Sequence, residues 1–489
     1  MSKKKKKPVR KTENREIKKT VSKTVSQTVN NEERQSVLSK VRIIGLAGTV
    51  LAAVLLVILG TVLDRSRRDR NVISLLAADG TEFAKLRREE EGIRFDCELK
   101  YMTYVGVVWE EAKERLGEEA LFDGATTVYT CFDREKFDVL STAAEGVPTE
   151  QYGDTALCLT DTKGRIYATY QKTADLNDNT NYVLAGTSAG SAIKPLSVYG
   201  PAIEAGEIGW GTLIKDEPLF YVENSDGTKE PWPVNAEDHG GKDYLVSDAV
   251  KHSINTIAVR ILKDHGVTRA MDFLEQSFGM DLSRERELVK KDGEDSVLGN
   301  LALGELRQGV TVKDMAGYYQ AFANGGMYQP AFAVEKIEMD GTTVYSHSDS
   351  MKRVFSEETA YICNRLLKGV LSQGGTGEAA YVEGLDICGK TGTSDGYRDY
   401  WFVGFTPEYV CACRCGNVSG HPLSEKPQLL IFKKVMEGLS HDKRSTYPAS
   451  EKVKEVTVCR KSGKEAGDNC KDTESGYFPE AELPAKCEE

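Results

Sequence analysis

An uninterrupted apolar segment near the N-terminus constrains this chain more than any other feature of its sequence. Residues 43–63 contain no ionisable side chain, and a helix of that length rises far enough to cross roughly 30 Å of hydrocarbon. A cleaved signal peptide has a shorter apolar region and a short basic leader, whereas 42 residues precede this segment. A buried core helix is a poor alternative because no face of the segment is polar. The sequence therefore predicts an uncleaved transmembrane anchor helix.

Charge is distributed unevenly around this anchor. Residues 1–42 hold 14 basic and 4 acidic side chains, a local charge of +10 in a chain whose total is −11. The positive-inside rule keeps such an arm in the cytoplasm, so we expect a single-pass protein of the cell membrane with most of the chain outside the cell. The lysines at 3–7 can also be interpreted as a nucleic-acid patch. Attraction to anionic headgroups is the simpler explanation beside a membrane segment, and the acidic remainder argues against nucleic acid as a partner.

The composition of the rest of the chain is that of a globular protein. Hydrophobic residues make up 40% and charged residues 28% of the 489 residues, which excludes wholesale disorder, a collagen-like repeat and a multi-span membrane protein. This length favours roughly three domains. We divide the chain into a basic cytoplasmic tail (1–42), the anchor (43–63), a charge-rich juxtamembrane linker or pedestal (64–127), a main domain (128–440) and a cysteine-containing C-terminal tail (441–489).

Helical and strand patterns alternate along the outer part of the chain. Apolar alternation around an Asp-Thr-Lys-Gly turn predicts a β-hairpin at 156–170, and an amphipathic helix is expected around 101–116. Helical periodicity marks residues 191–205, 247–263, 311–324 and 357–372. Strands are expected at 383–393, 401–407 and 409–415, with a closing helix at 428–439. Helices in the middle and a sheet built from both chain ends predict an α+β fold, an antiparallel sheet flanked by helices.

Eleven cysteines occur in the sequence, all on the expected outer side. Disulfides are permitted there, but the number is odd and the spacing irregular, so no pairing is assigned. Cys411, Cys413 and Cys415 alternate along a predicted strand, where packing is favoured over a metal site because no further ligand completes the set. Cys459, Cys470 and Cys487 could staple the C-terminal tail.

Two serine motifs lie within six residues of each other. Residues 186–190 read Gly-Thr-Ser-Ala-Gly, the G-x-S-x-G pattern of serine hydrolases, which would make Ser188 a nucleophile. That interpretation requires a histidine, and none of the six has a supporting motif: His239, His252, His265, His347, His421 and His441. Ser191 and Lys194 form the competing S-x-x-K motif, in which residues i and i+3 share one face of a helix.

Two further motifs favour the S-x-x-K interpretation. Ser253 and Asn255 supply an S-x-N motif, and Lys390, Thr391, Gly392 and Thr393 supply K-T-G-T on a predicted strand. Each motif alone is weak, but serine acyltransferases carry the three in this order. The ordered triple therefore predicts one active site assembled around Ser191.

The chain resembles the penicillin-binding proteins at these motifs and around them. Residues 190–206, 247–262, 302–330 and 389–410 are similar to segments of their transpeptidase domain. The likeness is greatest to the transpeptidase half of the bifunctional, class A type, and residues 121–133 resemble the junction between its two halves. The resemblance implies a β-lactamase/transpeptidase-like fold for the main domain.

Several positions depart from the family pattern. Thr187 and Ala189 stand where the family often has Arg and Pro, and Ile193 stands where Phe is common; none of them removes a reacting group. The glycosyltransferase half expected of a class A protein has no room between Leu63 and Lys100. We therefore expect a monofunctional enzyme without glycosyltransferase activity, and a separate glycosyltransferase as a partner.

The resemblance also implies a role for each motif residue. Ser191 would attack a peptide carbonyl and form an acyl-enzyme, with Lys194 as general base after its pKa is lowered by burial and a neighbouring cation such as Lys390. Ser253 would relay a proton to the leaving amine. Asn255 would bind the substrate backbone. The substrate's terminal carboxylate would contact Lys390, Thr391, Gly392 and Thr393, and the N–H groups of Ser191 and Thr393 would form the oxyanion hole.

The function implied is that of a serine-type D,D-transpeptidase. Its partners would be the D-Ala-D-Ala ends of peptidoglycan stem peptides and, as inhibitors, β-lactams. This chemistry needs no cofactor or metal. Three alternatives stay open: a D,D-carboxypeptidase that uses water as acceptor, a weakly catalytic β-lactam-binding scaffold or sensor, and a hydrolase based on Ser188.

Overall fold

The computed structural model describes residues 54–57, 71–146, 153–173, 175, 178–224, 226–236, 240–416, 426–442 and 444–488. The chain divides into two units, Met1–Arg70 and Asn71–Glu489. Of the first unit only residues 54–57, which are helical, are described, so the anchor predicted at 43–63 lies almost wholly outside the described residues. Among the residues that are described, no helix combines the length and the apolar character needed to cross a membrane.

Strands of the second unit are numbered in chain order. They are β1 (Val72–Leu76), β2 (Glu82–Glu89), β3 (Gly92–Cys97), β4 (Thr126–Thr130), β5 (Thr155–Asp161), β6 (Ile166–Lys172), β7 (Leu213–Lys215), β8 (Phe220–Glu223), β9 (Lys229–Trp232), β10 (Asp243–Leu245), β11 (Met327–Tyr328), β12 (Val334–Met339), β13 (Thr342–Ser346), β14 (Lys352–Arg353), β15 (Cys388–Thr393), β16 (Asp399–Phe405), β17 (Tyr409–Gly416), β18 (Val453–Cys459) and β19 (Thr473–Pro479).

Helices of the same unit are numbered likewise. They are α1 (Met102–Leu116), α2 (Glu118–Leu121), α3 (Arg134–Glu145), α4 (Gly200–Glu204), α5 (Val246–Lys251), α6 (Asn255–His265), α7 (Val267–Phe278), α8 (Ser283–Asp292), α9 (Leu298–Leu303), α10 (Val312–Tyr318), α11 (Gln320–Ala323), α12 (Glu357–Gly369) and α13 (Pro427–Gly438). Short 3₁₀ turns lie at Leu99–Tyr101, Gly190–Ile193, Glu294–Val297, Glu378–Ala380, Asp395–Tyr397 and Glu480–Glu482, and a π-helical turn at Pro195–Tyr199.

A five-stranded antiparallel sheet forms the centre of the fold. Its strand order is β15-β16-β17-β5-β6, so the predicted hairpin joins the three strands near the C-terminal end. Helices α3 and α13 pack on each other and on this sheet, and α10 packs on β5 and β17. The α+β fold built from both chain ends is confirmed. Cys411, Cys413 and Cys415 are buried in β17, and among the described residues they belong to no set of three or more metal-ligating groups.

A second, six-stranded sheet begins at residue 72, inside the segment predicted to be a linker or pedestal. Its order is β13-β12-β4-β1-β2-β3, with only the β1–β4 pair parallel. Charged side chains on these strands obscure the alternation that buries Ala84 and Leu86. Ion pairs such as Arg87 with Asp96 place those charges on the outer face.

The helix predicted at 101–116 is confirmed by α1, whereas the continuous helix predicted at 247–263 is wrong. The chain forms α5 and α6 instead and turns sharply between them, where Ser253 has a φ of 59°. The strand predicted at 383–393 forms only over Cys388–Thr393. Both differences concern the site, because the turn carries the S-x-N motif and the shorter strand carries K-T-G-T.

Candidate active site

Three chain segments carry the predicted motifs and meet beside the edge strand of the central sheet. They are the 3₁₀ turn Gly190–Ile193, the turn between α5 and α6, and β15. The first and third approach so closely that a Cβ on Gly392 would lie 2.2 Å from the Ala189 carbonyl oxygen. A Cβ on Gly190, whose φ is +52°, would lie 2.3 Å from Thr393 O. Glycine at both positions is what permits this contact.

Ser191 occupies the first turn of the helical segment and is partly exposed, while Ala192, Ile193 and Lys194 behind it are fully buried. Within the part of the chain that the structure describes, the Ser191 hydroxyl makes no hydrogen bond, so it can rotate toward an incoming carbonyl. Such a group at the start of a helix also faces the positive end of the helix dipole.

The Lys194 ammonium is buried among acceptors supplied by the S-x-N turn. Lys194 Nζ donates to Asn255 Oδ1 at 2.6 Å, to Ser253 O at 2.8 Å and to Ser253 Oγ at 3.4 Å. Loss of solvation by burial, and then the nearby positive charge of Lys390, hold the pKa of Lys194 well below its usual value. A lysine in this state loses its proton more readily than a solvent-exposed lysine and can act as a base.

Lys390 approaches Ser253 from the side of strand β15. Lys390 Nζ donates to Ser253 Oγ at 2.8 Å and to the Thr391 carbonyl at 3.1 Å, and its side chain is completely buried. Burial, and secondarily the charge of Lys426, lower the pKa of Lys390 to about 7. The two lysines of the predicted motifs therefore converge on one hydroxyl, that of Ser253.

Ser253 holds a backbone conformation that is unfavourable for any residue with a Cβ. Its φ of 59° lies in the left-handed region, which costs roughly 1–2 kcal/mol outside glycine. Non-glycine residues in this region concentrate at functional sites, where surrounding contacts maintain the strain. Asn255 is fixed next to it, because its Nδ2 donates to Val234 O at 2.7 Å and its backbone N–H to Asn235 Oδ1 at 2.9 Å.

Thr391 is almost buried and Thr393 is exposed at the end of β15. Thr391 Oγ1 shares a 2.8 Å hydrogen bond with Thr376 Oγ1. Thr376 comes from a glycine-rich loop after α12, and its backbone N–H donates to Lys251 O at 3.3 Å. Thr376 could not be identified from the sequence, because no spacing or motif connects that loop to β15.

Glu305 is a second residue of the site that no sequence motif identifies. Its Oε1 accepts the backbone N–H of Asp395 at 2.9 Å, just beyond β15, and burial raises its pKa. Glu305 follows Gly304, against whose backbone Gly190 packs. A carboxyl group therefore lies behind the start of the S-x-x-K turn.

Ser188, the nucleophile of the competing motif, has its hydrogen-bonding groups occupied by structural contacts. Its Oγ donates to Gly304 O at 2.9 Å, and its carbonyl accepts the Trp401 Nε1–H at 2.8 Å. Among the described histidines, none hydrogen-bonds to Ser188. The arrangement therefore favours Ser191 over Ser188 as the reacting hydroxyl.

Comparison with known protein families matches residues 155–437 to the penicillin-binding protein transpeptidase domain. Among curated relatives, penicillin-binding protein 1A of Clostridium acetobutylicum is 32% identical over 244 residues, which cover 49% of this chain and 29% of that protein. Penicillin-binding protein 4 of Bacillus subtilis is 29% identical over 384 residues, covering 77% of this chain and 58% of the relative. The chain thus matches less than two thirds of the length of either relative.

Solved structures share the fold at lower identity. The D,D-transpeptidase domain of a peptidoglycan glycosyltransferase from Eggerthella lenta aligns with a TM-score of 0.56 and 19% identity, over 75% of this chain and 97% of that domain. PonA1 of Mycobacterium tuberculosis in complex with penicillin V aligns with a TM-score of 0.57 and 23% identity, over 71% and 96% of the two chains.

Proposed function

Because this chain belongs to the penicillin-binding protein transpeptidase family, we propose that it is a D,D-transpeptidase that cross-links peptidoglycan stem peptides through an acyl-enzyme on Ser191. The observation that carries the proposal is the cluster of Lys194, Ser253 and Lys390, which hydrogen bonds join. Lys194 follows Ser191 by one helical turn, and the Ser191 hydroxyl is uncommitted. A serine hydroxyl is a weak nucleophile without a base, and a buried lysine of lowered pKa can supply one.

In the first half-reaction Ser191 Oγ bonds to the carbonyl carbon of the D-Ala–D-Ala peptide bond while its proton passes to Lys194. The tetrahedral intermediate collapses by breaking the C–N bond, and the terminal D-Ala leaves as an amine after it receives a proton. Ser253 is suited to relay that proton. Its Oγ accepts a hydrogen bond from Lys390 and lies 3.4 Å from Lys194 Nζ, so its own hydrogen can be passed on and replaced.

In the second half-reaction an amine of a neighbouring stem peptide attacks the ester, and Ser191 is released with its proton restored. Lys194 is then the acid and the base in turn. The acylated serine is common to the three alternatives, and the acceptor distinguishes them. A transpeptidase uses a second peptide, a carboxypeptidase uses water, and a scaffold or sensor uses no acceptor.

Substrate binding is proposed at the end of β15. Lys390 in its cationic form, with Thr391, Gly392 and Thr393, would bind the terminal carboxylate, and Asn255 would contact the peptide backbone. The N–H groups of Ser191 and Thr393 are proposed as the oxyanion hole. Support for this comes from the contact between Gly190 and Thr393, and each such donor contributes roughly 3 kcal/mol.

β-Lactams are proposed as inhibitors that acylate Ser191. Structures similar to this chain include PonA1 with penicillin V and penicillin-binding protein 3 of Mycobacterium tuberculosis with ampicillin, the latter at a TM-score of 0.55. We further propose a location in the cell envelope, with the 43–63 segment as membrane anchor and a separate glycosyltransferase supplying glycan strands. The apolar segment supports the membrane anchor, and the proposed peptidoglycan chemistry supports a partner that supplies glycan strands.

Labelling with a fluorescent penicillin tests the assignment of the nucleophile. We expect the full-length wild type and Ser188→Ala to take the label and Ser191→Ala to lose it. Ser188→Ala is the matched control, since it removes a hydroxyl three residues away. Label lost in Ser188→Ala and retained in Ser191→Ala would overturn the assignment.

A second experiment separates the acceptors. Enzyme that has not been exposed to penicillin is supplied with lipid-linked glycan strands bearing pentapeptide stems, and the muropeptides are analysed by mass spectrometry. A cross-linked dimer that requires Ser191 supports the transpeptidase. Free D-Ala with no dimer would assign a carboxypeptidase, and neither product with retained labelling would assign a scaffold or sensor.

A further inference from the structure

Three cysteines of the C-terminal tail come together although they are far apart in sequence. Cys459 ends β18, Cys470 lies in the loop that follows and Cys487 lies after β19. Their sulfur atoms all lie within 4.8 Å of one another. We call this group the thiol cluster. Among the described residues, the thiol cluster is the one group of at least three His, Cys, Asp or Glu side chains whose ligand atoms lie this close together.

We propose that the thiol cluster binds one zinc ion through three thiolates and so clamps the tail onto the catalytic domain. Zinc–sulfur bonds are about 2.3 Å, which places the sulfurs of a tetrahedral site roughly 3.8 Å apart. The sulfurs of the thiol cluster, all within 4.8 Å of one another, are close to that separation. Soft thiolate ligands select zinc over hard cations such as magnesium and calcium.

The number of thiols favours a metal over a disulfide. A disulfide between any two of the three would leave the third thiol beside the bridge, where it could attack it and exchange partners. One ion uses all three sulfurs at once and leaves a fourth position for water, as zinc sites with three protein ligands do.

A hydrogen-bond donor lies beside the sulfurs of the thiol cluster. Ser462, three residues after Cys459, donates from its Oγ to Cys487 Sγ at 3.2 Å. The turn is closed by Gly463, whose φ is +70° and whose N–H donates to Cys459 O at 2.8 Å. Donors of this kind stabilise and orient ligands outside the immediate coordination sphere.

Backbone contacts hold the third ligand in place. Glu465 N donates to Ala485 O at 3.0 Å and Cys487 N donates to Glu465 O at 2.8 Å, which tie the last residues of the chain to the turn. The thiol cluster is thus set by main-chain geometry, and an ion would find its ligands arranged before it binds.

The clamp would act on the helix that leads to the S-x-N turn. Arg460, next to Cys459, donates to both carboxylate oxygens of Asp248 at 2.7 Å, and Asp248 lies in α5. Glu474 on β19 accepts from Ser247 Oγ at 2.5 Å and from Trp210 Nε1 at 2.8 Å. Helix α5 ends two residues before Ser253, so ordering of the tail supports the position of that residue.

The test measures metal content in the full-length chain purified in detergent, without chelators and under reducing conditions. By elemental mass spectrometry we expect about one zinc per wild-type chain. Zinc should be lost in Cys470→Ser and retained in Cys97→Ser, the matched control, since Cys97 is also a half-buried thiol but lies in β3. Retention of zinc in Cys470→Ser, or its absence from the wild type, would overturn the proposal.

Cobalt(II) serves as a probe that does not depend on variants. Wild-type chain stripped by a chelator and reloaded with Co²⁺ should show thiolate-to-cobalt charge-transfer absorption, which zinc then abolishes. Peptide mapping under non-reducing conditions that finds a disulfide between any two members of the thiol cluster would refute the metal site. None of these readouts involves acylation of Ser191, so they are independent of the proposed function.

Discussion

Lys390 Nζ donates a 2.8 Å hydrogen bond to Ser253 Oγ. This contact joins a motif on the edge strand to a motif in a turn 137 residues earlier in the chain. Lys194, from the S-x-x-K motif, donates to the Ser253 carbonyl in the same turn, so the two buried lysines share one environment. Their mutual repulsion and loss of solvation make the protonation states of the site depend on each other.

Lys390 should set the alkaline limit of activity. Its pKa is lowered to about 7 by burial and by Lys426, so the free enzyme loses this positive charge as pH rises through that value. The second-order rate constant for acylation by a β-lactam should therefore fall above about pH 7. In Lys426→Met one cause of the lowering is removed, and the falling limb should move to higher pH. An unchanged limb in stopped-flow acylation measurements would contradict this.

Lys194 should set the acidic limit. It acts as a base only after losing its proton, so the acylation rate should rise with pH as Lys194 deprotonates. The charge of Lys390 helps to lower the pKa of Lys194, so Lys390→Met should raise that pKa and move the rising limb to higher pH. The matched variant Lys426→Met should leave the rising limb in place. A shift in the opposite direction would show that Lys194 is not the titrating base.

The strained backbone of Ser253 predicts that glycine and alanine at this position slow acylation equally but differ in their effect on stability. Both Ser253→Gly and Ser253→Ala remove the relay hydroxyl, so acylation should slow by roughly 10² to 10⁴ in each. Glycine adopts a φ of 59° without the Cβ clash, so Ser253→Gly should be more stable than Ser253→Ala by about 1 kcal/mol. Urea unfolding of the two variants measures this difference, and equal stabilities would argue against strain at Ser253.

The convergence of the three motifs could be predicted from sequence, but the turn at Ser253 could not. The helical periodicity of the sequence continues across the break between α5 and α6. Apolar residues on both sides of the break are buried at helical spacing, namely Val250, Ile254, Ile257 and Ile261. A pattern of burial does not report one residue in the left-handed region. The prediction of a continuous helix failed for that reason.

The contact between a loop and the motif strand was also beyond the sequence. Thr376, in the loop after α12, shares a side-chain hydrogen bond with Thr391 of β15, and no spacing or motif marks Thr376. The strands at 72–97 were missed because paired charges such as Arg87 with Asp96 occupy their outer face. By contrast the hairpin β5–β6 was predicted, since both its arms alternate and a turn sequence separates them.

Gly392 should tolerate no side chain. A Cβ there would lie 2.2 Å from Ala189 O, so Gly392→Ala must separate β15 from the S-x-x-K turn. We expect a loss of about 1–3 kcal/mol in the free energy of unfolding and a large loss of penicillin labelling. Gly209→Ala is the control, because a Cβ at that position meets nothing within 4 Å and should change stability by less than about 0.5 kcal/mol. Normal labelling of Gly392→Ala would contradict the close contact as a requirement of the site.

Thr376 should act as a positioning residue for Thr391. Its hydroxyl shares a 2.8 Å hydrogen bond with Thr391 Oγ1, so Thr376→Val, which keeps the shape of the side chain, removes one interaction worth about 1 kcal/mol. We expect the second-order acylation rate constant to fall roughly fivefold through weaker β-lactam binding, with the acylation step at saturating β-lactam unchanged. Thr376→Ser retains the hydroxyl and should restore the wild-type value. If Thr376→Ser were as impaired as Thr376→Val, the effect would come from lost packing of the methyl group and not from the hydrogen bond.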